Sequence, residues 1–154
     1  MNQPVDAMLQ AVVNEMIAAG GILLGAKVLP YTNQINPSTK THYADLGVIT
    51  VPGIVPIVPT WFGASLQSDL SWSLIGSNCN FQITNAQQPA VVNGFCVFTG
   101  PGGSGTGPAN VLLYVDPLSN PLTLNDPTQI LTYVPQFEIG AFGTIFGHGT
   151  AIFN

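Results

Sequence analysis

The first part of the chain carries an apolar stripe at helical spacing. Apolar residues recur at three- and four-residue steps between Val5 and Met16, and Gly20-Gly21 ends the pattern. Pro4 suits a first-turn position, where no backbone N–H is needed. The spacing predicts a helix within residues 1–21. Two roles stay open for its apolar face: packing on the protein's own sheet, or attachment to a partner.

Beyond Ile22, short apolar runs at strand spacing alternate with Gly- and Pro-containing turns. The last full run alternates in strand fashion. One face carries Leu131, Tyr133, Pro135 and Phe137, and the other carries Ile130, Thr132, Val134 and Gln136. Asn93-Gly94 predicts a bulge or turn inside another run. The predicted strands are Ile22 to Tyr31, Asp45 to Val51, Ser65 to Leu74, Asn80 to Asn85, Pro89 to Phe98, Asn110 to Asp116 and Gln129 to Ile139, followed by a Gly- and Phe-containing tail that is a last strand or a partner-bound extension.

About seven or eight short strands with frequent turns are typical of a two-layer all-β fold. The pattern therefore predicts a mainly β protein, an antiparallel β-sandwich or jelly roll with a short N-terminal helix. A length of 154 residues fits one domain. Its expected parts are the helix (1–21), the β-sandwich (22–139) and a C-terminal strand or arm (140–154).

The segment from Val51 to Pro59 contains four apolar residues between closely spaced prolines. Proline cannot donate to a sheet ladder, so this density excludes a central strand. Two interpretations stay open. The segment is either an exposed, extended arm that binds a partner, or a loop folded over the open end of the sandwich.

Charged side chains are unusually scarce. They make up 6% of the sequence, against about 25% in ordinary globular proteins. Asn and Gln number 21, so neutral amides and hydroxyls must supply most of the polar surface. Such a surface has little long-range repulsion, which favours permanent assembly over free circulation. The alternative is an extracellular domain kept soluble by amides and hydroxyls alone.

The charge balance excludes several partner classes. With a net charge of -5 and only Lys27 and Lys40 as basic residues, the chain lacks the cluster that phosphate backbones or anionic lipids require. The longest apolar stretch, Ile22 to Leu29, is too short to span a bilayer. The N-terminus lacks the basic start of a secretory signal. We therefore expect no nucleic-acid partner, no membrane association and no export signal.

Candidate chemistry has a structural explanation at each position. The run Gly100 to Gly107 is followed by a strand and lacks the Lys of a phosphate-binding loop. Asp116 and Asp126 both precede proline, which is typical of turn initiation by the carboxylate. His148, between two glycines, is expected to be an exposed loop residue. We expect no catalytic residues, no cofactor and no metal site, and hence no enzyme activity.

The aromatic and sulfur-containing residues each leave two interpretations. Trp61 and Trp72 are either core aromatics of a sandwich or a carbohydrate-binding platform. Cys79 and Cys96 are either buried free thiols or a disulfide between neighbouring strands, and the spacing does not decide between these.

Several short sequence motifs follow one another along the chain. They are Ala18-Ala19-Gly20-Gly21 before a strand, Asn93-Gly94-Phe95-Cys96-Val97-Phe98, Leu112-Leu113-Tyr114, and Ile130-Leu131-Thr132-Tyr133-Val134-Pro135-Gln136-Phe137. In this order over about 110 residues the chain resembles small virion proteins of tailed bacteriophages, of the capsid cement or decoration type. The proline-rich stretch from Val51 to Pro59 departs from that pattern.

The resemblance implies a structural protein, made in the host cytoplasm and placed on the capsid surface. It would bind the major capsid protein across subunit junctions as a dimer or trimer, without catalytic residues. The alternatives are a phage tail or fibre module that recognises a host glycan, or a filament or surface-layer subunit. The residues expected to contact the partner are Val51, Ile54, Val55, Ile57, Val58, Phe142, Ile145, Phe146 and Phe153.

Overall fold

The computed structural model describes residues 11, 15–16, 23–66, 72–100, 110–139 and 145–154. The described strands are β1 (Lys27–Tyr31), β2 (Trp61–Leu66), β3 (Trp72–Gly76), β4 (Cys79–Phe81), β5 (Ala90–Thr99), β6 (Val111–Leu124), β7 (Leu131–Ile139) and β8 (Ile145–Phe153). A 3-10 turn spans Tyr43–Asp45. Of the predicted helix of residues 1–21, the structure describes only residues 11, 15 and 16, which do not by themselves establish the helix. Met16, which is described, packs against the core.

The strands form two antiparallel sheets in a sandwich-like arrangement, as the sequence predicts. The first sheet has the order β1-β5-β6. In the second, β2 pairs with β3, and β7 lies between β3 and β4 on one edge and β8 on the other. The ring of Phe95 on β5 stacks on that of Tyr133 on β7, with their centroids 4.2 Å apart. This contact joins the sheets at the centre of the core.

Both faces of β5 are covered. Phe95 and Cys96 are consecutive and fully buried, although neighbouring side chains of a strand point to opposite faces. One face packs on the second sheet. On the other, Tyr43 contacts Phe98, with ring centroids 4.7 Å apart. The predicted bulge at Asn93-Gly94 is confirmed by a register shift between Val92 and Gly94.

The prediction of a strand from Asp45 to Val51 is wrong. The 3-10 turn occupies its start, with the backbone N–H of His42 donating to the carboxylate of Asp45 over 2.9 Å. Gly47 follows in the left-handed region at φ 61°, which interrupts an extended course. Only an isolated bridge between Val48 and Tyr31 remains.

Two other predicted boundaries are also wrong. The run Ser65 to Leu74 contains parts of two antiparallel strands, β2 and β3. The strand that was predicted to end at Asp116 continues through Pro117 and Pro121 to Leu124. Among the described residues β6 pairs only with β5, so it is an edge strand. The missing N–H of a proline is tolerated at such an edge.

Pro135 explains a break in the second sheet. β3 and β4 follow one another along the same edge of β7, and their pairing stops on either side of Pro135. Pro135 has no backbone N–H. The gap between β3 and β4 therefore leaves no unpaired N–H at this position. Gly76, which ends β3, has room only for hydrogen, because a β-carbon would lie 2.7 Å from the Pro135 ring.

Candidate protein-contact surface

The tail strand β8 is paired along one edge and open along the other. It pairs with β7 through nine consecutive residues, from Ile145 opposite Ile139 to Phe153 opposite Leu131, without a register shift. Among the described residues no strand pairs with its second edge. The tail is therefore a strand, one of the two structures that its sequence left open.

The residue pair at the end of β8 shows which residues of this strand direct their backbone N–H and C=O groups towards β7 and which direct them to the open edge. Ile130 and Asn154 exchange both backbone hydrogen bonds, at 2.9 and 3.0 Å. Residues two apart on a strand point their N–H and C=O in the same direction. The even-numbered residues of β8 therefore bond to β7, and the odd-numbered residues point their N–H and C=O outward. The outward set consists of Ile145, Gly147, Gly149, Ala151 and Phe153.

β8 carries large apolar side chains that solvent reaches. Phe146 is 46% exposed and Ile152 is 49% exposed, both on the outer face of the sheet. Ile145 and Phe153, on the other face, are also exposed. On β2 and β3, Phe62 and Ile75 extend the apolar surface of the same outer face. Phe62, Ile75, Phe146 and Ile152 therefore share the outer face of the second sheet.

A short polar row crosses that outer face. Nε2 of His148 lies 3.1 Å from Oε1 of Glu138. The amide of Gln136 donates to the same Oε1 over 3.1 Å and to Oγ of Ser73 over 2.6 Å. An amide therefore lies beside the Ser73 hydroxyl where a catalytic serine would need an imidazole. The expectation that His148 is a loop residue is wrong: it lies in β8 opposite Gln136, with its imidazole beside the carboxylate of Glu138.

Beneath β8, tyrosines of both sheets approach the strand closely. The hydroxyl of Tyr133 donates to the carboxylate of Asp116 over 2.7 Å. The hydroxyl of Tyr114 lies 3.2 Å from that of Tyr133 and 3.2 Å from the carbonyl oxygen of His148. Burial raises the pKa of both phenols above the ordinary value. This network ties β6 to β7 and β8.

The two predicted turn-initiating aspartates differ in the structure. Asp126 accepts hydrogen bonds from the N–H and hydroxyl of Thr128, at 2.8 and 2.9 Å, which confirms the predicted turn. These bonds lower the pKa of Asp126. Asp116 instead lies within β6 and binds Tyr133. The sequence does not contain this difference, because the partner of Asp116 is on another strand.

The segment from Val51 to Pro59 divides between core and surface. Ile54 is buried, and Ile57 is half-buried in a bridge with Val28. Val51 also packs against the core. Val55 and Val58 point outward, at 60% and 54% exposure. The segment therefore folds onto the protein's own core, while Val55 and Val58 face solvent.

A shallow apolar cavity of about 300 Å³ adjoins this segment, lined by Leu24, Gly25, Val58, Pro59, Thr60 and Trp61. Trp61 and Trp72 are half-buried against the core, and the ring of Trp61 lies 5.5 Å from that of Phe137. A glycan platform needs exposed aromatic faces, so the core interpretation fits these tryptophans better.

The remaining candidate residues are placed as follows. Cys79 and Cys96 are free, buried thiols on different sheets, and burial raises the pKa of each to about 12. Phe142 and residues 101–107 of the glycine-rich loop lie outside the described residues. Among the residues that are described, no three His, Cys, Asp or Glu side chains form a metal-binding group, and no helix has the length and apolarity to cross a membrane.

Sequence reasoning missed three residues of the exposed surface, namely Phe62, Ile75 and Ile152. The two-residue alternation of Phe146, His148, Thr150 and Ile152 is a signal for the last of these. Comparison with known protein families, characterised proteins and solved structures gives no match for this chain.

Proposed function

We propose that the protein is a non-catalytic structural subunit of a virion, a cement or decoration protein that binds across junctions of the major capsid protein. The observation that carries the proposal is the concentration of exposed apolar side chains on β8 and on the segment from Val51 to Pro59, in a chain with 6% charged residues. Its particular place on a phage head comes from the sequence resemblance.

Val55 and Val58 offer the better-defined contact. Both are more than half exposed, and Leu24 lies beside Val58 at the rim of the apolar cavity. Covering such side chains is worth about 25 cal/mol per Å² of apolar surface. Few ions need desolvating in so charge-poor a surface. A weak contact of this kind becomes durable when many copies bind one shell.

The test is the occupancy of the chain on the particles that contain it. Virions carrying the double change Val55→Asp and Val58→Asp are purified, and the copies per major capsid protein are counted by quantitative mass spectrometry and cryo-electron microscopy. We expect loss of most copies, because two carboxylates would be buried without partners. Val91→Asp is the control, since Val91 is 44% exposed on the first sheet.

Full occupancy with the double variant would refute the assignment of Val55 and Val58 as contacts to the capsid. Density for the chain only at a tail tip would favour the fibre alternative. The filament alternative draws on one observation of its own, the open edge of β8, because an edge strand is a ready template for a neighbouring strand. The filament alternative would be favoured if heads carry the ordinary number of copies and the purified protein also forms long fibres.

A further inference from the structure

In the part of the chain that the structure describes, the second edge of β8 lacks the features that normally protect an edge strand. Proteins shield edges with short strands, lysine, proline, bulges or inward-pointing charges. β8 is nine residues long and offers an edge of about 30 Å. It contains no lysine, proline or carboxylate, and its pairing with β7 is unbroken. Such a strand is built to receive another strand.

The sequence of β8 is nearly symmetric about its central residue. From Ile145 to Phe153 it reads two large apolar residues, a small one, a polar one, the central Gly149, a polar one, a small one and two large apolar residues. A second copy of β8, antiparallel and related by a twofold axis, would match this symmetry along the whole strand. It would place Phe146 opposite Ile152, Gly147 opposite Ala151 and His148 opposite Thr150.

The backbone geometry agrees with an axis at Gly149. Gly149 belongs to the odd-numbered set whose N–H and C=O point to the open edge. Two copies of Gly149 would therefore exchange both hydrogen bonds, as a paired position on an antiparallel ladder does. With five outward residues in each strand, the full ladder contains about ten main-chain hydrogen bonds. An axis midway between two residues would oppose odd-numbered to even-numbered residues and put these groups out of phase, and an axis at a neighbouring residue would shorten the ladder to about eight hydrogen bonds.

Side chains and charges are compatible with the same pairing. Phe146 and Ile152 would form non-hydrogen-bonded pairs, in which opposing side chains approach most closely. Both are about half exposed in the single chain. His148 is the sole titratable side chain of β8, and its Nε2 already faces Glu138 of the same chain. No like charges would oppose each other across the interface.

We propose that two copies of this chain form a dimer by antiparallel pairing of their β8 strands about a twofold axis at Gly149. The second sheets of both copies then become one continuous sheet, and neither retains this open edge. The dimer is a property of the isolated protein and does not depend on the capsid assignment.

The first test is the molar mass of the purified chain by light scattering after size exclusion, over a concentration series. We expect twice the 16.1 kDa of one chain. Ile152→Lys should yield the monomer, because the lysine would face Phe146 of the second copy. Ile75→Lys is the matched control, since Ile75 lies on the same outer face of the same sheet, 43% exposed and away from β8. A monomer for the unchanged chain, or equal behaviour of both variants, would overturn the proposal.

The second test reads the register and does not require a variant that dissociates. In the double variant Phe146→Cys with Ile152→Cys, each new thiol faces its counterpart in the second copy. A mild oxidant should convert the protein almost completely to disulfide-linked dimers. Phe146→Cys alone should not cross-link, because residue 146 opposes residue 152. The native thiols are buried and do not interfere. Cross-linking of the single variant, or linked species larger than a dimer, would contradict the axis at Gly149. Neither test involves a capsid, so either proposal can fail without the other.

Discussion

Gly147 lies where the tail strand meets the ring of Tyr114, and replacing it with alanine is the sharpest test of the packing. A β-carbon at residue 147 would overlap Cγ, Cδ1 and Cε1 of that ring, well inside ordinary van der Waals contact distance. Ordinary carbon contacts are about 3.5–4 Å, so the ring or the strand must move by more than about 1 Å. The buried Tyr114 ring also packs edge-on against Phe137, with ring centroids 4.9 Å apart, so its movement disturbs that contact as well.

The cost of Gly147→Ala has two parts. Overpacking of a core commonly costs about 1–3 kcal/mol. Moving the ring also weakens the contacts of the Tyr114 hydroxyl with Tyr133 and His148, each worth about 1 kcal/mol. We therefore expect a loss of about 2–4 kcal/mol in the free energy of unfolding, measured by urea denaturation followed by circular dichroism.

A double-mutant cycle identifies the cause. In a Tyr114→Ala background the ring is absent, so Gly147→Ala should cost less than about 0.5 kcal/mol, although Tyr114→Ala itself is destabilising. Thr150→Ala is the control on the same strand, since Thr150 is exposed. If Gly147→Ala costs the same with and without the Tyr114 ring, the reasoning from close contact is refuted.

Two further predictions concern buried polar groups. Tyr133→Phe removes the donor to Asp116 and should lower the free energy of unfolding by about 1–3 kcal/mol; an unchanged urea midpoint would contradict this. For the thiols, burial raises the pKa of Cys79 and Cys96 from 9.0 to about 12, so the folded state favours the neutral form. Their contribution to stability is fully present below pH 9 and is lost as the pH rises towards 12. The urea midpoint should therefore fall between pH 9 and about pH 12, and fall less in Cys96→Ala. A thiol reagent at pH 8 should label the native protein far more slowly than the unfolded protein, and equal rates would exclude burial as the cause.

The sequence by itself determined the features that depend on local periodicity. The alternation of Leu131, Tyr133 and Phe137 predicts the buried face of β7, because successive side chains of any strand point to opposite faces. Asn93-Gly94 predicts the bulge, and the scarcity of charge predicts a surface suited to contact. Each of these follows from neighbouring residues or from composition, without knowledge of what lies across the sheet.

Tertiary structure decided everything that depends on a strand's position in its sheet. Pro117 and Pro121 look like strand terminators, yet β6 continues through them because its outer edge needs no amide donors. Pro135 lies inside the second sheet, and there the neighbouring strand breaks opposite it. His148 looks like a loop residue until β8 places it beside Glu138. The sequence lists donors, acceptors and apolar side chains, whereas the fold alone determines which of them meet a partner and which, as along β8, remain open.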